Sequence, residues 1–244
     1  MRTLYQFPIS HFSHYCEKVR WTLDHKQLDY RIKNLLPGLH ARTTKKLAAA
    51  STVPVLIDSG KAIQNSSDII DYLEIHYPNA PLTPTEPELK AEAQRWEKFA
   101  DERIGLPVRA VCYDTLLDHP DLLIPIFTAN GPWYGRPIMP VIYPILSRDM
   151  RRLMMIEPRA VKLAQQRLEK AIDKIDTHLK NRRFMVGDRF TRADIAVASM
   201  LAPLCKIRKF GVEWPTVYPE PLETIAASLS EQLGWVEQLY QNYR

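Results

Sequence analysis

At 244 residues the chain is long enough for one large domain or two ordinary ones around a well-buried core. Its 45% hydrophobic and 25% charged residues are the proportions of a water-soluble globular protein, and no apolar run approaches the ~20 residues that span a membrane. The formal net charge of +5 is dispersed, with small clusters at Arg148, Arg151 and Arg152 and at Arg182 and Arg183, so it describes solvated helix faces rather than a nucleic-acid footprint.

Cys16, Cys112 and Cys205 are odd in number and scattered, which excludes a disulfide framework and fits a reducing compartment. They combine with the seven histidines in no zinc-like spacing, so no metal is expected. The N-terminus lacks the apolar run and small-residue cleavage site of a secretory signal, and a cytoplasmic location is expected.

Periodicity predicts a strand over residues 3–7, a helix over 16–25 and a strand over Tyr30–Asn34. A helix over 39–50 follows. Two short apolar runs, 53–57 and 61–63, flank the turn signal Asp58-Ser59-Gly60 and read as a hairpin. Ser66–His76 closes the series as a helix, giving the order βαβαββα with a parallel first pair and a right-handed crossover.

The texture then changes. Residues 78–87 carry Pro78, Pro81, Pro84 and Pro87, too many for a helix or a strand ladder, and are expected to link a domain of residues 1–77 to one of residues 88–244. Residues 88–102 and 157–179 have helical patterns, and the nearly apolar stretch 193–204 reads as a buried central helix. Residues 106–155 hold seven prolines that interrupt any single helix, yet also Trp133, Tyr134 and Tyr143. They are read either as the irregular wall of a ligand cleft or as a packed loop or dimer contact.

Three segments of the first domain carry candidate chemistry. In Ser13-His14-Tyr15-Cys16 a loop enters a helix, whose unpaired N–H groups favour an anion, and the Ser13 hydroxyl could donate to a thiolate and lower its pKa. Ser13 also suits a helix cap, and the two roles are compatible. In Thr52-Val53-Pro54-Val55 a proline heads an apolar strand; a cis bond there would turn the Val53 backbone outward to pair with a peptide ligand. In Gln64-Asn65-Ser66-Ser67-Asp68 side-chain oxygens precede an apolar helix, suited to capping and to holding a carboxylate.

Taken together, Leu4 to Trp21, Val53-Pro54-Val55-Leu56, Asn65-Ser66 with Tyr77-Pro78, and Gly187-Asp188-Arg189-Phe190-Thr191-Arg192-Ala193-Asp194 resemble, in order, the motifs of the cytosolic glutathione transferases. In the last of these Thr191 and Asp194 read as a structural capping box. The resemblance implies an α/β N-terminal thioredoxin-like domain that binds glutathione, followed by an all-α helical bundle domain that contributes the site for a hydrophobic electrophile. It implies glutathione as co-substrate, with Val53 and Pro54 beside its cysteinyl backbone and Asn65 and Ser66 at its γ-glutamyl end. Ser13 matches the activating hydroxyl of the serine-type classes. A homodimer, detoxifying chemistry, and no metal, nucleic-acid or membrane partner are expected on the same ground.

Three departures qualify the match. Ser10 rivals Ser13, because Ser10-His11-Phe12-Ser13 nearly duplicates Ser13-His14-Tyr15-Cys16. His14 stands where the family often has proline, and Thr52 where Lys or Gln is common. Cys16 occupies the resolving position of a Cys-x-x-Cys pattern in which Ser13 stands in place of the first cysteine. Beside a transferase, the sequence therefore admits a non-catalytic glutathione- or protein-binding module, and third a glutathione-dependent reductase working through Cys16. For the second substrate, Trp133, Tyr134 and Tyr143 are the candidate apolar contacts, with Arg148 or Arg151 near an anionic part.

Overall fold

The computed structural model describes residues 1–8, 13–211 and 213–244. Ser10 lies outside the described residues.

The first unit is built on four short strands: β1 (Arg2–Gln6), β2 (Tyr30–Asn34), β3 (Val55–Asp58) and β4 (Lys61–Gln64), in the sheet order β2-β1-β3-β4. β1 alternates as a half-buried strand should, with Leu4 and Gln6 fully buried. It pairs in parallel with β2, Leu4 opposite Ile32, and antiparallel with β3, Leu4 opposite Leu56. The hairpin between β3 and β4 turns through Ser59 (φ 49°) and Gly60 (φ 81°), two left-handed residues of the kind that match the sheet twist. Helix α1 (His14–His25) makes the crossover, α2 (His40–Leu47) follows β2, and α3 (Ser66–His76) follows β4. Val19 and Leu23 of α1 and Ile69 and Leu73 of α3 pack on Leu4 and Leu56 of the sheet.

The remainder, among the described residues, contains no strand. α4 (Pro87–Phe99) begins with a proline in its first turn, where the missing N–H costs no hydrogen bond. It continues through a π-helical stretch (Ala100–Gly105) directly into α5 (Leu106–Leu116). Pro107 explains the widened register: inside an α-helix its ring would meet the carbonyl four residues back. α6 (Pro120–Thr128), α7 (Gly135–Leu153) and α8 (Pro158–Leu179) precede the central α9 (Arg192–Leu201), all of whose residues are buried. α10 (Leu222–Leu229) and α11 (Gly234–Tyr243) end the chain.

The expected capping box is present: Asp194 accepts from the Thr191 N–H (2.7 Å) and hydroxyl (2.9 Å), and from the Met185 N–H (2.7 Å). Burial nonetheless pushes the Asp194 carboxyl up to about 6. The two units share a packed interface. Trp21 of α1 lies 4.4 Å from the Tyr240 ring and 5.7 Å from Phe190, and its indole donates to the Tyr243 carbonyl at 2.9 Å.

Residues 106–155 depart from the sequence expectation. They form three helices instead of a proline-broken wall, and α7 runs nineteen residues straight through Pro140 and Pro144. Pro137, Pro140 and Pro144 all stand on the exposed face, opposite buried Met139, Tyr143, Leu146 and Met150, so the carbonyls they leave unpaired face water.

Candidate functional site

Ser13 caps α1 with its backbone: its carbonyl accepts from the Cys16 (2.9 Å) and Glu17 (3.0 Å) N–H groups. The N–H groups of His14 and Tyr15 therefore precede the helix ladder and mark its electropositive end. The Ser13 hydroxyl donates to Cys16 Sγ at 2.9 Å. Cys16 is fully buried, and burial pushes its thiol up against the opposing pull of the Ser13 hydrogen bond and Arg20.

The Val53–Pro54 peptide is cis. The loop before it is clamped by Gln64 of β4. The Gln64 amide accepts from the Ala50 N–H (2.9 Å) and donates to the carbonyls of Ala50 (2.9 Å) and Thr52 (2.8 Å). Thr52 is exposed and Val53 half-buried. Sequence reasoning placed Gln64 among the polar residues before α3 and did not find the clamp; a β4 residue reaching across to a loop twelve positions earlier leaves no local pattern.

Asn65 takes the left-handed conformation (φ 79°), and its side chain accepts from the Ser67 N–H at 3.2 Å, capping α3. Ser66 is 2% exposed, and its hydroxyl has no hydrogen-bond partner among the described residues. A buried hydroxyl left unpaired at a helix N-terminus is a costly arrangement that an anionic ligand group would relieve.

Beside this helix start lies a cleft of about 510 Å³, lined by Tyr15, Asn65, Ser67, Asp71, Asp101 and Arg192 among others. Its floor is an ion network between the two units. Lys18 of α1 meets Glu97 at 2.7 Å and Asp101 at 2.9 Å, and donates to Ser67 Oγ at 3.1 Å. Arg192 of α9 reaches the same Glu97 at 2.6 Å and pairs with Asp71 at 2.5 Å. Burial raises Glu97, but Lys18 and Arg192 together hold its carboxyl below the usual range; burial leaves Asp101 raised despite Lys18. Tyr15 donates to the Asp101 carbonyl (2.8 Å) within the π-helical stretch, where the widened register changes the backbone pairing. A separate hollow of about 170 Å³ lies between Cys205, Glu223 and Glu237, and none of the site residues borders it.

The electrophile candidates divide. Trp133 is 86% exposed and packs edge-on against Tyr134 at 5.9 Å, in the connection between α6 and α7. That connection rests on the first unit, where Asn34 donates to the Asn130 carbonyl at 2.7 Å. Tyr143 is corrected: it is 5% exposed, packed in the helical core with its hydroxyl bound to the Leu117 carbonyl (3.0 Å), because α7 turns it inward. Arg151 is occupied by Asp118 at 2.8 Å and Asp114 at 3.7 Å, and Arg148 is exposed beside Asp149. Among the described residues no group of three or more His, Cys, Asp or Glu side chains is gathered that could hold a metal, and no helix is long and apolar enough to cross a membrane.

A mixed four-stranded sheet flanked by helices, a helical second unit, and polar residues converging at two helix starts define a thioredoxin-like ligand-binding domain joined to a helical bundle. Residues 4–81 match the family model for the glutathione S-transferase N-terminal domain and residues 150–220 that for the C-terminal domain, and the chain belongs to the glutathione transferase superfamily. It is similar to "Glutathione transferase GST 23" of Zea mays, 25% identical over 182 residues that cover 74% of this chain and 63% of that one. It also resembles a stringent starvation protein A homolog of Haemophilus ducreyi, 29% identical over 80 residues, 33% of this chain and 37% of the relative. The chain thus spans less than two thirds of the length of these curated relatives. In fold it is similar to the glutathione S-transferase of Methylobacterium radiotolerans solved in complex with glutathione sulfonate, with a TM-score of 0.59 at 23% identity over 95% of this chain and 89% of that one.

Proposed function

We propose that the chain binds glutathione along Ser13, Val53, Asn65 and Ser66, ionises its thiol, and conjugates it to a hydrophobic electrophile held against residues 88–244. The observation that carries this reading is the buried Ser66 hydroxyl at the start of α3, which has no hydrogen-bond partner among the described residues. The γ-glutamyl carboxylate would accept from Ser66 and the start of α3, and the cysteinyl backbone would pair with Val53 next to Pro54. The sulfur would then lie at the start of α1, where the His14 and Tyr15 N–H groups and the Ser13 hydroxyl stabilise the thiolate. The thiol proton goes to water. The sulfur lone pair forms the C–S bond, and the electron pair leaves with the displaced group or moves onto a conjugated acceptor.

The complex of the Methylobacterium neighbour with a glutathione analogue supports the choice of ligand. A homodimer in the cytoplasm completes the proposal; sedimentation showing only monomer would remove the dimer. Titration calorimetry with glutathione, followed by turnover with a panel of electrophiles, tests the whole. Binding without conjugation would favour a second reading, a non-catalytic binding module, which the engagement of the Ser13 hydroxyl with Cys16 supports. Burial argues against the reductase: the Cys16 thiol is inaccessible and its pKa is raised.

A further inference from the structure

Among the described residues, every lysine or arginine that is not solvent-exposed has a carboxylate partner, with one exception. Lys18, Lys26, Arg20 and Arg192 are paired in the interior, and half-buried Arg2, Arg151, Lys206 and Arg244 also meet acids. The exception is Arg109 on α5, half-buried, unpaired, and with its Nε fully buried and without a hydrogen-bond partner. A buried guanidinium N–H left without an acceptor is costly, and the Arg109 Nε is such a group.

A second group beside it lacks partners too. His14 is 2% exposed, and neither ring nitrogen is hydrogen-bonded. Burial, reinforced by the charges of Arg109 and Lys18, lowers its pKa to about 3, so the imidazole is neutral and carries one N–H to donate. Gly105 brings the two elements together. A Cβ there would stand 2.7 Å from Met200 Sδ, 2.9 Å from Tyr15 Oη and 3.2 Å from His14 Nε2, so a side chain would have to displace the ends of these three side chains. Arg109 lies four residues beyond Gly105, one turn along the same face. The unpaired cation and the unpaired imidazole thus lie together at the first turn of α1, where His14 directly follows Ser13.

We propose that Arg109, with the His14 imidazole beside it, is the binding point for a carboxylate carried by the electrophile. The inference rests on the conjugation reading and names its substrate class: apolar electrophiles bearing one carboxylate. The planar guanidinium fork matches a carboxylate in two parallel hydrogen bonds. The γ-glutamyl carboxylate of glutathione is assigned to the start of α3. Arg109 stands instead on the helical unit, the side assigned to the second substrate. Arg148 and Arg151, the basic candidates from sequence, are solvated or already paired.

The test compares 4-chloro-3-nitrobenzoate with its methyl ester in turnover, where the glutathione thiolate displaces chloride. In parallel, unreactive 3-nitrobenzoate and its methyl ester are titrated by calorimetry. The expected result is a preference for each acid over its ester of about tenfold or more. Arg109→Gln should abolish the preference, Arg109→Lys should keep only part of it because a single ammonium cannot reproduce the two parallel hydrogen bonds, and glutathione affinity should be unchanged in both. Equal binding of acid and ester by the wild-type protein overturns the inference, and does so even if Arg109→Gln does not fold. Loss of glutathione affinity in Arg109→Gln equal to the loss for the benzoate overturns it too, by assigning Arg109 to the other substrate. An Arg109-dependent acid preference without turnover would uphold the inference and sink the transferase reading; turnover without preference would do the reverse.

Discussion

Ser13 and Cys16 are bonded to each other, hydroxyl to sulfur at 2.9 Å across the first turn of α1. The two side chains that the sequence sets in competition for thiol chemistry are therefore one unit. Cys16 is wholly buried and can only hold the hydroxyl, while Ser13, half-buried at the helix start, can turn its oxygen outward to a ligand.

Ser13→Ala should lower kcat/KM for conjugation by about 10–100-fold, the worth of a hydrogen bond to a charged sulfur. It should also raise the pKa of bound glutathione, followed by thiolate absorbance in the ultraviolet. Cys16→Ala removes the hydroxyl's resting partner and the thiol's bond to the Phe7 backbone, and its kcat should stay within about threefold of wild type. Loss of all activity in Cys16→Ala with Ser13→Ala unaffected would transfer the chemistry to the cysteine.

Gln64→Ala removes four hydrogen bonds that hold residues 50–52, directly before Val53. The Val53 backbone would then be less well placed for a peptide ligand. Glutathione Kd should rise about tenfold, with kcat at saturating glutathione within about threefold. Calorimetry measures the first and steady-state kinetics the second. An unchanged Kd would mean that Val53 does not hold glutathione.

Much of this site is legible in sequence because its parts are local. Asn65 caps the helix it precedes, Thr191 and Asp194 lie three apart, and the Ser59-Gly60 turn sits between two apolar runs. What is not legible is held by contacts between distant segments. Lys18, Glu97 and Arg192 are far apart in the chain and meet only when the two units pack. Arg109 differs from the other arginines that are not solvent-exposed only in lacking a carboxylate partner, which no local pattern reveals. The prolines of α7 mislead for a different reason: proline breaks a helix when its freed carbonyl is buried, and here Pro137, Pro140 and Pro144 face solvent.

Glu97 is the shared counterion of Lys18 and Arg192, at 2.7 and 2.6 Å, with all three side chains nearly inaccessible. Glu97→Ala leaves two buried cations with Asp101 and Asp71 alone, and should cost about 3–5 kcal/mol in urea unfolding. Glu97→Gln keeps the volume and loses the charge, and should cost less than the alanine variant. A loss under about 1 kcal/mol for Glu97→Ala would mean that water enters the interface and screens the pair.

His14 makes stability depend on acid. Its pKa near 6.5 in the unfolded chain falls to about 3 in the fold, because burial first, and then Arg109 and Lys18, oppose its protonation. The unfolded chain therefore binds the proton more tightly, and the stabilisation is complete above about pH 6.5 and is lost as pH falls toward 3. Between pH 7 and pH 5 the loss amounts to about 2 kcal/mol. His25 and His40, also lowered by burial, act in the same sense, whereas Asp194, raised to about 6, acts against it by stabilising the fold at low pH. The difference between wild type and His14→Leu isolates the one residue. Urea midpoints measured from pH 7 to pH 5 should fall less steeply in the variant, by about that amount after conversion with a common m-value. Parallel slopes in the two proteins would mean that His14 is protonated in the fold, and that a partner or water reaches its ring.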